Sequence, residues 1–399
     1  MRAPIEESQL LEGMSIFLLK STGLWNAINT YLTTRRRTIG LNILTAYSIF
    51  YALPYVLFQL VSMFVIHVNV EKLTFLFLNS FPCIQVFLKV SVFWYRIEEQ
   101  CDIFTLLKQD FLSCIPPHKM PKVREIYKQW ARYSNVACVM AFASMILCMS
   151  SWIIVPGIDG VDDTGAVSKK ILGGWYPFPF SRPPWNYIVF YYEMLLMSSH
   201  GSLISLFECV MIQPLLCLCA HFTVLGHHIS TLKISDVVYS KSKNELHYMN
   251  SELRAILLDY DRLLRYTAVM QDILNLLVTA ILGTGIVILI IGVLQFKFGT
   301  LDPMFVFHFL TFLSYQATEV FLICTSSSAL HSASSDICFS IYSSDWYLAD
   351  REYARTAQMI MVRTYKPSTL TAIKMYPVSV EILVGLFQFT YTAAMVLSK

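Results

Sequence analysis

Seven apolar stretches, each long enough to cross a lipid bilayer, divide this chain into loops whose basic residues fall on alternate sides. A helix crossing about 30 Å of hydrocarbon needs about 20 apolar residues. Stretches of that kind lie near 40–68, 73–95, 134–157, 186–218, 267–297, 304–327 and 375–397. Arg35, Arg36 and Arg37 precede the first, and Arg96, Lys108, Lys119, Lys122, Arg124, Lys128 and Arg132 follow the second. Lys233, Lys241, Lys243, Arg254, Arg262 and Arg265 follow the fourth, and Arg351, Arg355, Arg363, Lys366 and Lys374 precede the last. That side carries roughly 23 basic residues against about 6 on the other, and basic loops stay in the cytoplasm. The pattern predicts an all-α polytopic membrane protein of seven helices, N-terminus cytoplasmic and C-terminus extracellular.

Composition agrees. Of 399 residues, 55% are hydrophobic and 14% charged, where a soluble domain carries about 25% charged residues. A net charge of +3 is too small to suggest a nucleic-acid partner. Residues 1–15, with Glu6, Glu7 and Glu12, do not read as a secretory leader. The ten cysteines all fall in expected helices or cytoplasmic loops, which predicts reduced thiols rather than a disulfide framework.

Between the apolar stretches, residues 16–31 read as a short interfacial helix with Trp25 at the headgroups. The outer loop 158–185 begins acidic and ends in Trp175, Tyr176, Pro177, Phe178, Pro179, Phe180, Pro183, Pro184 and Trp185. Proline stiffens it, so it reads as a lid over the bundle. Residues 242–266 and 349–366 carry apolar side chains at helical spacing, so the fourth to seventh helices are expected to continue into the cytoplasm and pack there. Pro54, Pro82, Pro214 and Pro377 fall inside apolar stretches, where neighbouring helices satisfy the freed carbonyls. No internal repeat speaks for a transporter built from inverted halves.

Few constellations carry chemistry. Asp350-Arg351-Glu352-Tyr353 resembles the Asp-Arg-Tyr of G-protein-coupled receptors, but it does not follow the third helix and reads as solvated charge on a cytoplasmic helix. His221, His227 and His228 lack the further clusters that a metal centre needs. No phosphate loop, nucleophile triad or paired carboxylate motif stands out, so no catalytic residue, metal or cofactor is expected. Ionisable residues inside the membrane are costly and are functional candidates. Lys89, Glu193, Glu208, Glu319 and Glu381 qualify. A structural pair or backbone hydrogen bond is the expectation for most, and Glu381 could attract cations to a pore mouth. Aromatic and Met side chains crowd the outer halves of the helices. Phe81, Met145, Met149, Tyr187, Tyr191, Met194, Phe309, Phe312 and Tyr315 are read either as ordinary packing or as an apolar pocket with a few polar contacts.

From about 338 onward, Tyr342 stands three residues before Asp345-Trp346, followed by Arg363, Lys366-Pro367 and a final apolar helix with Ser379, Phe387 and Tyr391. With these residues, and with Gly23-Leu24-Trp25 and Trp175-Tyr176-Pro177-Phe178, the chain resembles an insect odorant receptor of the ligand-tuning kind. The resemblance implies a heteromeric odorant-gated cation channel assembled with the odorant receptor coreceptor (Orco). It also implies a last helix lining the pore, cytoplasmic helix ends anchoring the subunits, and odorant bound in the outer half. The segment 219–266 is much shorter than the coreceptor's loop, so this chain is not expected to be the coreceptor itself. Where the coreceptor's gate has bulky aliphatics, Ala393, Ala394 and Ser398 are small here. Thr390-Tyr391 match half of the gustatory-receptor signature, and Leu397-Ser398 fail the other half.

The expected plan is therefore a cytoplasmic segment over 1–39, helices one to six with the odorant pocket over 40–327, a cytoplasmic anchoring region over 328–374 and a pore helix over 375–399. Glu381, Phe387, Tyr391, Ala394, Val396, Leu397 and Ser398 are the expected pore-lining residues. The ligand would be a small apolar volatile and the location the plasma membrane of an olfactory neuron dendrite. A gustatory-type channel and a seven-helix metabotropic receptor stand as alternatives.

Overall fold

The computed structural model describes residues 24–34, 53–65, 70–107, 111–159, 176–178, 182–232, 243–298 and 303–397, with Phe17, Lys20, Ile171 and Ile234 as single positions. Among them run α1 (Leu24–Thr34), α2 (Leu53–Val65), α3 (Val70–Tyr95), α4 (Ile97–Ile103), α5 (Met120–Asp159), α6 (Trp185–Ser230), α7 (Lys243–Phe298), α8 (Pro303–Tyr342), α9 (Arg351–Thr364) and α10 (Val380–Leu397). A two-residue hairpin, β1 (Thr371–Ala372) and β2 (Tyr376–Pro377), precedes α10. Four helices are long and apolar enough to cross a membrane among the described residues.

The helices outrun a bilayer. At 1.5 Å per residue, the 56 residues of α7 span about 84 Å, far more than about 30 Å of hydrocarbon. The charged stretch after Lys243 is thus the first part of the fifth apolar helix. The 40-residue α5 extends likewise, which the sequence reading did not anticipate. The last helix does not extend: the hairpin separates α9 from α10, and Pro377 lies in β2 instead of inside the helix. Proline has no N–H to donate and fits such an edge.

The core forms around α6, which packs against α3, α5, α7 and α8. Its residues from Ile204 to Ala220 are buried almost without interruption, because a helix apolar on every face must be surrounded. On α9 the carboxylate of Asp350 accepts from the Tyr353 N–H at 3.0 Å, an N-cap that satisfies one orphan donor of the first turn. Tyr353, Ala357, Ile360 and Thr364 then form the buried stripe that packs α9 on α8. The Asp-Arg-Glu-Tyr run is therefore a helix start.

Two local findings depart from expectation. Trp25, with Ile28 and Tyr31, is buried, and the Tyr31 hydroxyl donates to Glu98 of α4 at 2.9 Å. The apolar stripe of α1 thus docks on protein, not on headgroups. The hairpin turn places Ile373 and Lys374 at positive φ, 54° and 58°, which costs an L-residue with a side chain about 1–3 kcal/mol. Three residues on one face of α7 hold it. Gln271 accepts from Thr371 N–H at 2.7 Å, Asn275 from Lys374 N–H at 2.9 Å, and Thr279 from Ile373 N–H at 3.0 Å. The hairpin is clamped to α7 and sets where α10 begins.

Candidate ligand-binding site

At the end of the bundle that bears the 158–185 loop, a small cavity opens between four helices. Pro82 and Cys83 come from α3, Met149 and Trp152 from α5, and Phe312 from α8. Leu196, Met197, His200, Gly201 and Ile204 of α6 form the remaining wall. Gly201 is needed there: a Cβ would stand 2.9 Å from Met149 Cγ and 3.0 Å from Met145 Sδ. The missing side chain lets two adaptable thioethers occupy that wall. His200 donates Nδ1–H to the Leu196 carbonyl at 2.8 Å, so the carbonyl partner fixes the tautomer. The surroundings are apolar, with few polar groups, as small-molecule sites generally are.

Glu193 ties the loop to the bundle. Its carboxylate accepts the Tyr176 O–H at 2.7 Å and the Ile171 N–H at 2.8 Å. Ile171 packs with Tyr55, Cys83 and Leu196, and Tyr176 lies 5.6 Å from Phe58, centroid to centroid. Cys83 and Leu196 belong to the cavity wall as well, so the two described anchor points of the loop sit directly beside the cavity.

One turn further along α8, an ionic cluster lies between the helices. Lys89 of α3 donates to Glu208 of α6 at 3.2 Å and to Glu319 of α8 at 2.8 Å. Tyr315 O–H donates to the same Glu208 oxygen at 2.9 Å, and Gln316 Nε2 to Glu319 at 3.1 Å. The three charged side chains are no more than 4% exposed. Here the sequence expectation of structural pairing for intramembrane ions is met, because a buried charge needs a partner. Gln316 also faces a groove bounded by Leu383 of α10. Phe312, Tyr315, Gln316 and Glu319 thus run down α8 from the cavity to the last helix.

His221 is a structural residue. Its Nε2–H donates to the Leu106 carbonyl at 2.7 Å and its Nδ1 accepts from Tyr127 O–H at 2.5 Å, which only the neutral ring can do.

Of the pocket residues read from sequence, Met149 and Phe312 line the cavity and Met145 stands behind its wall. Phe81 is half-buried against the core, and Met194 packs with the loop cluster. Phe309 fills the space over Gly292 of α7, where a Cβ would come within 2.0 Å of its ring. Tyr315 serves the ionic cluster. Tyr187 and Tyr191 require correction: they are 39% and 58% exposed and line none of the described cavities. At 100° per residue, Tyr191 stands about 160° around α6 from Glu193, whose buried carboxylate defines the inward face. That face, Glu193, Leu196, Met197, His200, Gly201, Ile204 and Glu208, was missed, although its two intramembrane acids mark it in the sequence. Glu381 is exposed in the first turn of α10. Phe387, Tyr391, Ala394, Val396 and Leu397 lie on α10 with side chains outside the described set, and Ser398 lies outside the described residues.

The model of the family described as 7tm Odorant receptor matches residues 69–391. No curated protein matches by sequence. The fold is similar to that of the insect olfactory receptor OR5 from Machilis hrabei, with a TM-score of 0.78 at 15% identity over 96% of each chain. The structure of that receptor in complex with eugenol gives a TM-score of 0.78 at 14% identity, covering 96% of this chain and 98% of that one.

Proposed function

This chain belongs to the 7tm odorant receptor family, and from that premise we propose that it is the odorant-binding, ligand-tuning subunit of an odorant-gated, non-selective cation channel. The channel is a multi-pass protein of the plasma membrane in olfactory sensory neurons, assembled as a hetero-oligomer with the odorant receptor coreceptor. The observation that carries the reading is the apolar cavity walled by Met149, Trp152, Met197 and Phe312 beside the Glu193-anchored loop. Its apolar wall with few polar groups suits a small volatile. The eugenol complex of the structural relative supports a small aromatic volatile as the class.

In this mechanism the odorant binds better to the conformation with α10 displaced outward, and the population shifts by that difference in affinity. The side chains along α8, from Phe312 through Tyr315 to Gln316, connect cavity to last helix. Glu381 draws cations to the pore mouth, and Phe387, Tyr391, Ala394, Val396, Leu397 and Ser398 line the pore.

The test is voltage clamp of cells expressing this chain with and without the coreceptor, under a panel of volatile phenols, esters, alcohols and terpenoids, with G-protein signalling blocked. The expected outcome is a rapid cation current that needs both subunits and survives the block. A current from this chain alone, or one abolished by the block, would overturn the reading.

A further inference from the structure

Along α5 a row of cations runs into a row of exposed aliphatic side chains. At 100° per residue, Arg124, Lys128 and Arg132 fall within about 80° of one another on the helix surface. Val139 and Ile146 stand in the same sector and Val136 at its edge, and these three are 51%, 65% and 58% exposed. The three cations are exposed too, and none has a salt-bridge partner among the described residues. Exposed cations elsewhere have one: Arg254 meets Glu352, Arg265 meets Asp261 and Lys374 meets Asp272. The one acid on α5 before Asp159 is Glu125, and Lys122 already holds it at 2.7 Å. Three positive charges on this face therefore stay uncompensated, directly below a surface that suits hydrocarbon.

Depth along the helix selects the occupant. The helix is long and apolar enough to cross a membrane and is apolar from about 134 onward. Half-buried Trp130 and exposed Tyr133, their rings 6.1 Å apart, stand at that border, and amphipathic aromatics sit at headgroup level. Arg132 is level with them. At 1.5 Å per residue, Lys128 lies about 6 Å and Arg124 about 12 Å further from the hydrocarbon. A headgroup layer is only about 5–8 Å deep, so a single phosphodiester meets Arg132 and the long arm of Lys128 but not Arg124. We propose that this stripe binds a polyphosphorylated inositol phospholipid. Its acyl chains lie along Val136, Val139 and Ile146, its phosphodiester at Arg132, and its outer ring phosphates at Lys128 and Arg124. Guanidinium groups pair bidentately with phosphate. Basic loops lie on the cytoplasmic side, and the leaflet there carries the anionic lipids. The site does not depend on the odorant reading, because it follows from charge, exposure and depth on one helix.

The experiment measures thermal unfolding of the purified full-length chain in uncharged detergent micelles at constant pH and ionic strength. Four titrants are compared: dioctanoyl phosphatidylinositol bisphosphate, dioctanoyl phosphatidylserine, dioctanoyl phosphatidylcholine and inositol trisphosphate, which is the headgroup without its chains. The expected result is a saturable rise in the unfolding midpoint with the bisphosphate lipid, since a ligand of the folded state stabilises it by mass action. Phosphatidylserine and the free headgroup should each need about tenfold more, and phosphatidylcholine should do nothing. Each Lys or Arg beside an anionic lipid contributes about fivefold, so the triple variant Arg124→Gln, Lys128→Gln, Arg132→Gln should raise the half-saturating concentration about a hundredfold. A control with Arg351→Gln, Arg355→Gln and Arg363→Gln removes the same charge from α9 and should saturate as wild type does. If the α5 triple variant does not fold, Arg124→Gln alone decides, with an expected loss of about fivefold for the bisphosphate lipid and none for phosphatidylserine. No rise with the bisphosphate lipid, an equal response to any other titrant, wild-type saturation in the α5 variants, or an equal loss in the α9 control would each overturn the proposal.

Discussion

Replacing Lys89 by Met should strongly destabilise this protein. Met preserves much of the length and volume of the side chain, so the lost quantity is charge. In the folded chain one ammonium bridges Glu208 at 3.2 Å and Glu319 at 2.8 Å, with water excluded. At an effective dielectric of about 20, each attraction is roughly 5–6 kcal/mol. Desolvation of the ions offsets most of it, and removing one partner of a buried pair costs about 3–5 kcal/mol. That is a change of about 10²–10⁴ in the folded-to-unfolded ratio. The assay is equilibrium unfolding of purified protein in mixed micelles of mild detergent and dodecyl sulfate. The companion variant, Lys89→Met with Glu208→Gln and Glu319→Gln, carries no charge in the cluster. It should recover most of the loss, because a neutral replacement of a buried ion pair is often tolerated, and the sites are close enough to couple. If Lys89→Met matches wild type, or if the triple variant is no better than the single one, the cluster is not held by mutual charge compensation and the argument fails.

Two further outcomes follow from the cavity and its cover. Gly201→Val places methyl groups where even a Cβ stands 2.9 Å from Met149. It should cost larger odorants about tenfold in half-maximal concentration while sparing smaller ones, measured as dose–response curves across a homologous series. Glu193→Ala removes the acceptor of two buried donors, Tyr176 O–H and Ile171 N–H. Hydrogen bonds to a charged group contribute about 1.5–3 kcal/mol each, so exchange of the Ile171 amide, which Glu193 accepts, should quicken by about tenfold or more; unchanged exchange would show that this anchor is held by other contacts.

How far the sequence reaches can be traced through single residues. Apolar length and the side on which lysine and arginine fall predict helices at each of the seven stretches, since both follow from the cost of exposing backbone and charge to hydrocarbon. Lys89, Glu208 and Glu319 are also visible in sequence as intramembrane ions that must find partners. Which partners they find is not visible: Lys89 and Glu319 are 230 residues apart. The same holds for Gly292, a featureless position in the sequence whose hydrogen leaves room for the ring of Phe309. Tyr187 and Tyr191 have the chemistry of pocket residues and yet point outward, while the plain Leu196, Gly201 and Ile204 build the wall. Local chemistry and periodicity are properties of the chain and can be read along it. The rotation of each helix about its own axis is decided by what the other helices bury, and that choice of face determines which side chains converge on a ligand.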